Sequence, residues 1–584
     1  MFKRRDKKRA RCYVIDEGRQ PAEPAIERIS AESRRKKNLA SANRRIGLCA
    51  VAFGFAFSAL ALRLVLVSTG TPPTRVAVSA SQNDKARPEI VDRNDILLAA
   101  NLPMRSLEIA GREVWSAKET SVKIASVLPD IDAAALEEKL AAGRYVEVKT
   151  RLTPAQEKEI FSLGLPGVRF RPHIRRFYPQ SKIASHIVGQ VEPGKGGVSG
   201  LEYVLDEHRA IQPLISSIDI RAQQIVEQEL EKSLLKFKAK AAMGAVMDVH
   251  TGEILALVSL PDFDPNDPGA YPADFRRNRF VYDRYELGSA FKLFTASAAL
   301  EDGVATERTT YDARKPYRVA DRLIHDFHPE NRVLTFAEVI EHSSNIGAAQ
   351  MAEALGPKAL KSMLEKFGLL DPLPIDLVEK RAPEPPKKWG PVETATVAYG
   401  HGISVTPLHL LTAASSVVNG GVWRAPTLIR SDAHRPDRRV ISENNSAIMR
   451  RVMRNVIVNG TASLAEAPGY FPIGKTATAD KPVAGGYNTH ERIASFVGAF
   501  PGYNPRYALL VTLDEPQAAP GTYGYATAGW NAAPTFAAIT QKLAPILGVM
   551  PVSEVEAFAA FHSGQSVPLD RSASLMSAPA GAAP

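Results

Sequence analysis

A serine and a lysine stand three positions apart in the segment Gly288–Lys292, inside a stretch that predicts a helix over residues 289–301. Residues i and i+3 share one face of a helix, so the Lys292 amine can reach the Ser289 hydroxyl. A neutral amine would accept the hydroxyl proton and make the serine nucleophilic. Desolvation and a second nearby cation would both lower the pKa of Lys292 towards neutrality. The pair therefore predicts acyl transfer through Ser289.

Spacing of this kind is not specific by itself, because two other serines, Ser33 and Ser233, also precede a lysine by three positions. Either of those pairs is explained by a helix-capping serine and a solvated lysine. What distinguishes the Ser289 pair is that two further motifs, whose side chains could take part in catalysis or substrate binding, follow it along the chain.

The first of these motifs is Ser343-Ser344-Asn345, and the second is Lys475-Thr476-Ala477-Thr478. The first offers a hydroxyl for proton relay and an amide that can hold a substrate amide. The second offers a cation and hydroxyls for a substrate carboxylate. A serine–lysine pair, a Ser-x-Asn segment and a Lys-Thr-small segment in this order form the motif set of penicillin-binding proteins and class A β-lactamases.

The elements that must position these motifs are longer after residue 215 than before it. An amphipathic pattern predicts a helix over Ile220–Lys236. The other predicted elements are strands over 243–248 and 253–260, joined at Thr251-Gly252, strands over 492–500 and 506–513, and a closing helix over 532–547. Strands at both ends with helices between them predict an α/β unit whose sheet joins the two ends.

Beyond the three motifs, the chain resembles the class B penicillin-binding proteins, which are monofunctional peptidoglycan transpeptidases, and most closely their FtsI-like, division-specific group. The resemblance runs from about Arg63 almost to Leu547. The segments that resemble family landmarks are Ile90–Asn94, Arg176–Pro179, His186–Gly189, Gly200–Glu202, Tyr285–Ser289, Tyr399–Leu408 and Asp514–Pro516. The His401 variant and the order of the modules favour the division group over the elongation group.

The resemblance implies a transpeptidase domain of the penicillin-binding and serine β-lactamase type, an α/β fold in which helices flank an antiparallel sheet. An α+β pedestal module, the penicillin-binding protein dimerisation module, and one N-terminal transmembrane helix would precede it. The implied divisions are a basic tail over 1–45, an anchor over 46–67, the pedestal over 68–214, the transpeptidase domain over 215–550 and a low-complexity tail over 551–584.

The resemblance also implies catalytic roles, with no cofactor and no metal. Ser289 would attack the penultimate D-alanine carbonyl of a stem peptide, and Lys292 would be the base. Ser343 would relay the proton towards the leaving amine with help from Lys475. Asn345 would orient the substrate backbone.

Substrate binding would fall to the strand that carries the third motif. Thr476 and Thr478 would bind the terminal carboxylate, on either side of Ala477. The backbone N–H groups of Ser289 and Thr478 would form an oxyanion hole. A second stem peptide's amine would resolve the acyl-enzyme into a cross-link, and β-lactams would acylate Ser289.

One departure from the family pattern is Ala477, which stands where the family usually has glycine. Glycine lets a strand approach the nucleophile closely and adopt unusual dihedral angles. Leu287 and Ala290 also replace the usual proline and threonine. A catalytically impaired scaffolding paralogue is therefore an alternative, although every residue with a chemical role is retained.

A nucleotide-hydrolase alternative rests on Gly469–Thr476, which satisfies the Walker A pattern, and on Leu509–Glu515, which imitates a Walker B strand. A P-loop needs a helix directly after it. The residues from Thr478 to Gly486 include a proline and two glycines, which disfavour a helix start. A metal site at His325 and His328 is also disfavoured, because no third ligand is close in sequence, and a polar loop is predicted there.

The charge distribution predicts membrane topology. Residues 1–45 hold 15 Lys and Arg against 6 Asp and Glu, which is +9 of the total net charge of +10. An apolar run over 46–67, interrupted only by Arg63, follows it, and about 20 apolar residues suffice to cross a bilayer. Basic residues before a span stay in the cytoplasm. An uncleaved anchor is favoured over a signal peptide, because the leading region is too long.

The predicted location is therefore the inner membrane, with a single span, a cytoplasmic N-terminus and a periplasmic catalytic domain. The basic pI of 9.3 then indicates topology, and no nucleic-acid partner is expected. The expected partners are peptidoglycan stem peptides, β-lactams as inhibitors, an FtsW-type glycan polymerase and divisome proteins.

Overall fold

The computed structural model describes residues 47–48, 51–55, 57–58, 87–430, 436–483 and 486–563. Its contacts divide the chain into two units, residues 1–82 and 83–584. In the first unit the described residues are helical and exposed. The predicted basic tail over 1–45, and most of the predicted anchor over 46–67, lie outside the described residues. Among the residues that are described, no helix combines the length and the apolar composition needed to cross a membrane.

The second unit begins with an α+β module built around one long strand, Leu97–Ala110. This strand pairs antiparallel with three others and organises a five-stranded sheet. The other strands are Ile90–Val91, Tyr145–Lys149, Val168–Phe177 and Leu214–Ile215, of which the last pairs in parallel with Ile90–Val91. The helices of this module are Ala117–Val127, Ala133–Ala141, Pro154–Ser162, Ser185–Val188 and Gly200–Glu207.

Two separate hydrophobic clusters stabilise this first module. One part of it has a small core of its own, which includes Leu107, Ile124 and Leu136. The rest shares a core with the following module, because Ile90 and Leu201 belong to the same buried cluster as that module's strands. The boundary predicted between residues 214 and 215 falls inside a strand of the first sheet, so the two modules are continuous there.

Buried charges connect several of the sequence landmarks in this module. Glu202 is fully buried. Its two carboxylate oxygens accept hydrogen bonds from Arg87 Nε at 3.1 Å and Arg176 Nε at 2.6 Å. Asp92 is also fully buried, and it accepts from the backbone N–H of Ile220 at 3.2 Å. A buried charge requires paired hydrogen bonds of this kind, and here they connect distant segments.

After residue 215 the chain forms an antiparallel five-stranded sheet flanked by helices, as the sequence predicts. Its strands are β1 Ala241–Asp248, β2 Ile254–Leu260, β3 Ile473–Val483, β4 Gly486–Phe500 and β5 Tyr507–Asp514. Their order is β3-β4-β5-β1-β2. Strand β5 pairs with β1, so the sheet joins the two ends of the module. Every residue of β1, β2 and β5 is buried, which requires cover on both faces.

Helices supply this cover. The longer ones are α1 Ile220–Lys236, α2 Lys292–Glu301, α3 Asn345–Lys366, α4 Pro407–Val418, α5 Glu443–Val458 and α6 Ala532–Ile546. Helices α1 and α6 pack on each other and on the sheet, and α4 packs on β1, β4 and β5. Shorter elements are the helices Arg279–Tyr282, Phe336–Glu341 and Pro391–Val397 and the paired strands Thr310–Asp312 with Val333–Thr335, Tyr317–Val319 with Arg322–Ile324, and Val422–Arg424 with Asp437–Arg439.

The C-terminal region differs from the prediction of a low-complexity tail over 551–584. Residues Glu554–Ser563 form a helix. Its alanines Ala557 and Ala560 are buried in a small cluster with Tyr503 and Val552. Alanines favour a helix and lie against the domain with little entropic cost, so low complexity did not mean absence of structure. Residues 564–584 lie outside the described residues.

Candidate active site

Ser289 lies on a single 3-10 turn, Gly288–Phe291, which leads into α2, whose first residue is Lys292. The helix predicted from residue 289 thus starts three residues later. Lys292 is fully buried, and its Nζ lies 2.9 Å from Ser289 Oγ. In the Ser-x-x-Lys pair at Ser233, by contrast, the serine hydroxyl bonds to Thr535 Oγ1 at 2.7 Å.

The contacts of the Lys292 amine are compatible with its neutral form. Its Nζ lies 2.6 Å from the carbonyl oxygen of Ser343 and 2.7 Å from Oδ1 of Asn345. Both oxygens can only accept hydrogen bonds. A neutral amine has two N–H donors, and these two acceptors use both of them. The remaining lone pair is then available to the Ser289 hydroxyl, which is the arrangement a general base requires.

Burial and charge act in the same direction on this amine. Removal from water lowers the pKa of Lys292 well below its ordinary value, and the nearby Lys475 cation lowers it further. The Asp326 carboxylate opposes part of this effect. Lys475 is itself fully buried, and burial lowers the pKa of Lys475 to about 7. The two lysines therefore cannot both be cationic at low cost.

The second motif reaches the nucleophile from the turn before α3. Ser343 has a left-handed backbone with φ of +62°, which is uncommon outside glycine and is held only where the surroundings impose it. This conformation places both its carbonyl oxygen and its hydroxyl on Lys292, the hydroxyl at 3.2 Å. Asn345 contacts the same amine, and its Nδ2 donates to the carbonyl of His325 at 3.0 Å. The structure thus places Asn345 as a partner of the lysine.

Asp326 holds this turn in place and was not recognised from the sequence. Its carboxylate accepts from Ser344 Oγ at 2.8 Å and from the backbone N–H of Ile346 at 2.9 Å, at the first turn of α3. A carboxylate at a helix N-terminus is stabilised by the free N–H groups there. Residues 325–328 form a loop, as predicted, and its function is to cap α3 and to supply the His325 carbonyl.

The third motif lies on β3, which continues to Val483 with one register shift after Asp480. Lys475 Nζ lies 3.2 Å from the carbonyl of Thr476. The Thr476 hydroxyl pairs with that of Thr461 at 2.7 Å, and Thr478 Oγ1 accepts from the backbone N–H of Ala528 at 3.1 Å. A strand after Lys475 cannot supply the helix N-terminus that a P-loop needs, so the nucleotide-hydrolase alternative is wrong.

Ala477 does not occupy the gap between β3 and the nucleophile. Ala477 is 3% exposed and belongs to the main hydrophobic cluster. Its backbone is not among those with positive φ in the described residues. The close approach occurs one residue further on, where a Cβ at Gly288 would lie 3.2 Å from the Thr478 carbonyl oxygen. The alanine therefore fits this site without displacing the strand.

This placement predicts that Ala477→Gly leaves the rate of penicillin acylation within about threefold of wild type. It should lower the free energy of unfolding by about 1–2 kcal/mol, from one buried methyl and added chain entropy. Labelling kinetics and denaturant unfolding test both effects. Ala494→Gly in β4, which also removes a buried methyl, is the matched control. A tenfold faster acylation of Ala477→Gly would show that the methyl does obstruct the site.

Glycine is required at position 400 by the same crowding around the nucleophile. Gly400 has φ of +83°, and a Cβ there would lie 2.2 Å from the carbonyl oxygen of Gly288. Movement of a neighbouring side chain could not relieve that contact, because the atoms that the Cβ would meet belong to the backbone of Gly288. The segment Tyr399–Gly402 therefore presses directly on the turn that carries Ser289.

A cavity of about 500 Å³ opens over these residues. Ser289, Ser343, Asn345, Thr476 and Thr478 line it. The other lining residues lie outside the three catalytic motifs and include Phe327, His328, His342, Tyr399, His401, Thr461, Asp480, Arg492, Thr527 and Trp530. Most of them come from loops far apart in sequence, and only their tertiary position shows that they belong to the site.

His401 lines this cavity, and its neighbours shift its pKa. Burial lowers the pKa of His401, while the Glu286 and Asp480 carboxylates oppose part of this effect and the Lys292 amine adds to it. Its ring packs edge-on against Tyr399, with centroids 5.2 Å apart. These contacts hold the His401 ring in the wall of the cavity.

Comparison with known families matches both modules of the second unit. Residues 242–541 match the penicillin-binding protein transpeptidase domain, and residues 83–234 match the penicillin-binding protein dimerisation domain. The dimerisation match includes most of α1, in agreement with the shared core described above.

Individual proteins give the same result. The chain is 40% identical to the probable peptidoglycan D,D-transpeptidase FtsI of Caulobacter vibrioides, over 80% of this chain and 83% of that protein. It is 29% identical to the peptidoglycan D,D-transpeptidase FtsI of Escherichia coli K12, over 81% and 86%. Penicillin-binding protein 3 of Mycobacterium tuberculosis, solved with aztreonam, matches with a TM-score of 0.63 at 25% identity, covering 80% of this chain and 97% of that one.

Proposed function

The chain belongs to the penicillin-binding protein transpeptidases, and from this premise we propose that it is the D,D-transpeptidase that cross-links peptidoglycan stem peptides in septal wall synthesis. One observation carries the proposal. The buried Lys292 amine contacts the Ser289 hydroxyl, Ser343 and Asn345 together, with Lys475 close enough to lower its pKa. A solvated structural lysine would have no reason to be enclosed in this way.

Acylation follows from these contacts. Ser289 Oγ attacks the carbonyl carbon of the penultimate D-alanine while its proton passes to Lys292 Nζ. The tetrahedral intermediate then collapses, the peptide C–N bond breaks, and the terminal D-alanine leaves as an amine. That amine receives its proton from Lys292 through the Ser343 hydroxyl, which lies 3.2 Å from Nζ. The product is an ester between the stem peptide and Ser289.

Deacylation runs the same path in reverse with a different amine. The amino group of a second stem peptide enters where D-alanine left and attacks the ester carbonyl. Its proton passes through Ser343 to Lys292, and Ser289 regains its hydroxyl proton. A new amide bond then joins the two strands, with no net consumption of any cofactor.

Charge in this reaction is stabilised by β3 and the nucleophile turn. The backbone N–H groups of Ser289 and Thr478 form the oxyanion hole, a donor arrangement whose loss costs about 10²–10³ in rate. Lys475, Thr476 and Thr478 bind the terminal carboxylate of the donor peptide. Lys475 is the charged member of this set, and it contacts the Thr476 hydroxyl at 3.5 Å.

The remaining parts of the chain fit a division enzyme anchored in the inner membrane. The basic tail over 1–45 and the apolar run over 46–67 would hold the chain in the membrane with the catalytic domain in the periplasm. The pedestal over 68–214 would dock membrane partners, such as an FtsW-type glycan polymerase and divisome proteins. β-Lactams would act as inhibitors by acylating Ser289.

The impaired-scaffold alternative rested mainly on Ala477. Because its methyl packs in the core and Ser289, Lys292 and Ser343 are in contact, this alternative has little support. Fluorescent penicillin tests it directly on the full-length protein in detergent. We expect covalent, stoichiometric labelling that survives denaturation. A folded protein that takes up no label would favour the scaffold over the enzyme.

A further inference from the structure

A charged pair with no part in the acyl-transfer steps also lines the catalytic cavity. Asp480 and Arg492 face each other across the β3–β4 ladder, and Arg492 Nε donates to Asp480 Oδ1 at 2.9 Å. Their side chains are 34% and 31% exposed. Both line the same cavity as Ser289, so a bound substrate can reach them.

Their position along β3 corresponds to a particular part of the donor peptide. Residues i and i+2 of a strand share a face about 6.6 Å apart, so Asp480 follows Thr476 and Thr478 along the cavity side of β3. If the terminal carboxylate lies at Thr476 and Thr478 and the scissile carbonyl at Ser289, as proposed above, a donor that runs antiparallel to β3 continues towards Asp480. The residue that precedes the two D-alanines then lies beside Asp480.

The chemistry of the pair selects a ligand that carries both charges. The contact between the two side chains uses one guanidinium nitrogen and one carboxylate oxygen. A ligand carboxylate can approach the terminal nitrogens of Arg492 in a bidentate manner, while a ligand ammonium approaches Asp480. A ligand side chain with only one charge could bind only one of the two residues and would compete with the ion pair between them. Such a mismatch is a usual basis of discrimination between charged ligands.

We propose that Asp480 and Arg492 are specificity residues that bind a zwitterionic amino-acid end, –CH(NH₃⁺)COO⁻, on the side chain of the stem-peptide residue before the terminal D-alanines. This inference rests on the proposed function and names the class of stem peptide that the enzyme takes. It assigns no role to the pair in bond making or breaking, so the ratio of the two peptides, rather than the labelling rate itself, tests it.

The test compares two pentapeptides that end in D-alanyl-D-alanine and differ only in the third residue. One carries diaminopimelate, whose side chain ends in the zwitterion, and the other carries lysine, whose side chain ends in an ammonium alone. The readout is the concentration of each peptide that halves the rate of fluorescent penicillin labelling of the full-length protein. Wild type should need about tenfold less of the zwitterionic peptide, as charge-assisted hydrogen bonds imply.

In the double variant Asp480→Asn, Arg492→Gln, this preference should fall to about one, with each inhibition measured relative to the labelling rate of the same variant without peptide. The matched control is Arg424→Gln, Asp437→Asn. That pair also faces across a two-strand ladder at 3.1 Å, with side chains 30% and 36% exposed, but it does not line the cavity. The control should keep the tenfold preference.

Two results overturn the inference while leaving the proposed function intact. One is a preference that persists in the double variant, and the other is an equal weakening of both peptides relative to labelling of the same variant without peptide. Absence of penicillin labelling in wild type would instead overturn the proposed function, and the inference with it.

Discussion

Replacing Lys292 by alanine is expected to slow penicillin acylation by up to about 10⁴-fold, whereas replacing Ser289 by alanine should abolish it. Ser289→Ala removes the nucleophile, so no acyl-enzyme can form. Lys292→Ala removes the amine that lies 2.9 Å from Ser289 Oγ, and general-base catalysis of this kind contributes up to about 10⁴-fold. Because the two groups act as a unit, the double replacement should be no worse than Ser289→Ala alone. Time-resolved labelling with fluorescent penicillin measures all three variants.

The second Ser-x-x-Lys pair provides the control for this prediction. Ser233→Ala and Lys236→Ala make the same chemical changes at the same spacing, but Ser233 contacts Thr535 in the core. Both variants should label at the wild-type rate. Denaturant unfolding should show that Lys292→Ala is folded, since it removes a buried amine along with its desolvation cost. If folded Lys292→Ala acylates within tenfold of wild type, another group is the base.

Lys475→Ala is expected to slow acylation by about 10²–10³-fold, the cost of losing one preorganised charge or donor in such a site. Lys475 is fully buried beside the Thr476 hydroxyl, where a charge acts with little screening. The loss should be larger for peptide substrates, whose terminal carboxylate we propose that the lysine binds. The measurement is the labelling rate together with the release of D-alanine from a pentapeptide donor.

The pH profile distinguishes this electrostatic role from a merely structural one. Acylation needs Lys292 neutral, so the rate rises as pH increases through the pKa of Lys292. It needs Lys475 cationic, and burial lowers the pKa of Lys475 to about 7, so the rate falls as pH rises above about 7. The wild-type profile should therefore be bell-shaped, with both limbs belonging to the coupled pair.

Removal of Lys475 should change both limbs. The falling limb near pH 7 disappears, because the group that titrates there is gone. The rising limb moves to higher pH, because Lys292 is easier to protonate without a neighbouring cation. Lys481→Ala on the same strand, whose amine pairs with Glu515, should keep the wild-type profile. An unshifted rising limb in Lys475→Ala would contradict the electrostatic coupling of the two lysines.

Local patterns in the sequence were sufficient for the architecture of the catalytic module. The 3.6-residue period over Ile220–Lys236 and the alternating or continuous apolar strands reflect contacts made within or next to each element, so they can be read without the fold. Sequence patterns did not predict secondary structure that depends on contacts with residues far away along the chain. Residues 554–563 form a helix packed on Tyr503, and Leu214–Ile215 joins the strand Ile90–Val91, which composition does not reveal.

The sequence by itself determined which residue types are available and their order: a serine–lysine pair at i, i+3, then Ser-x-Asn, then Lys-Thr-Ala-Thr. Only the tertiary structure decided that the Ser289 pair, rather than the one at Ser233, is enclosed by Ser343, Asn345 and Lys475. It also decided that the Ala477 methyl lies in the core. The reason is that desolvation and Coulomb interactions, which set the pKa of Lys292, depend on separation in space. Positions in the sequence indicate distances in space only for residues that are close along the chain, such as Ser289 and Lys292 at i and i+3.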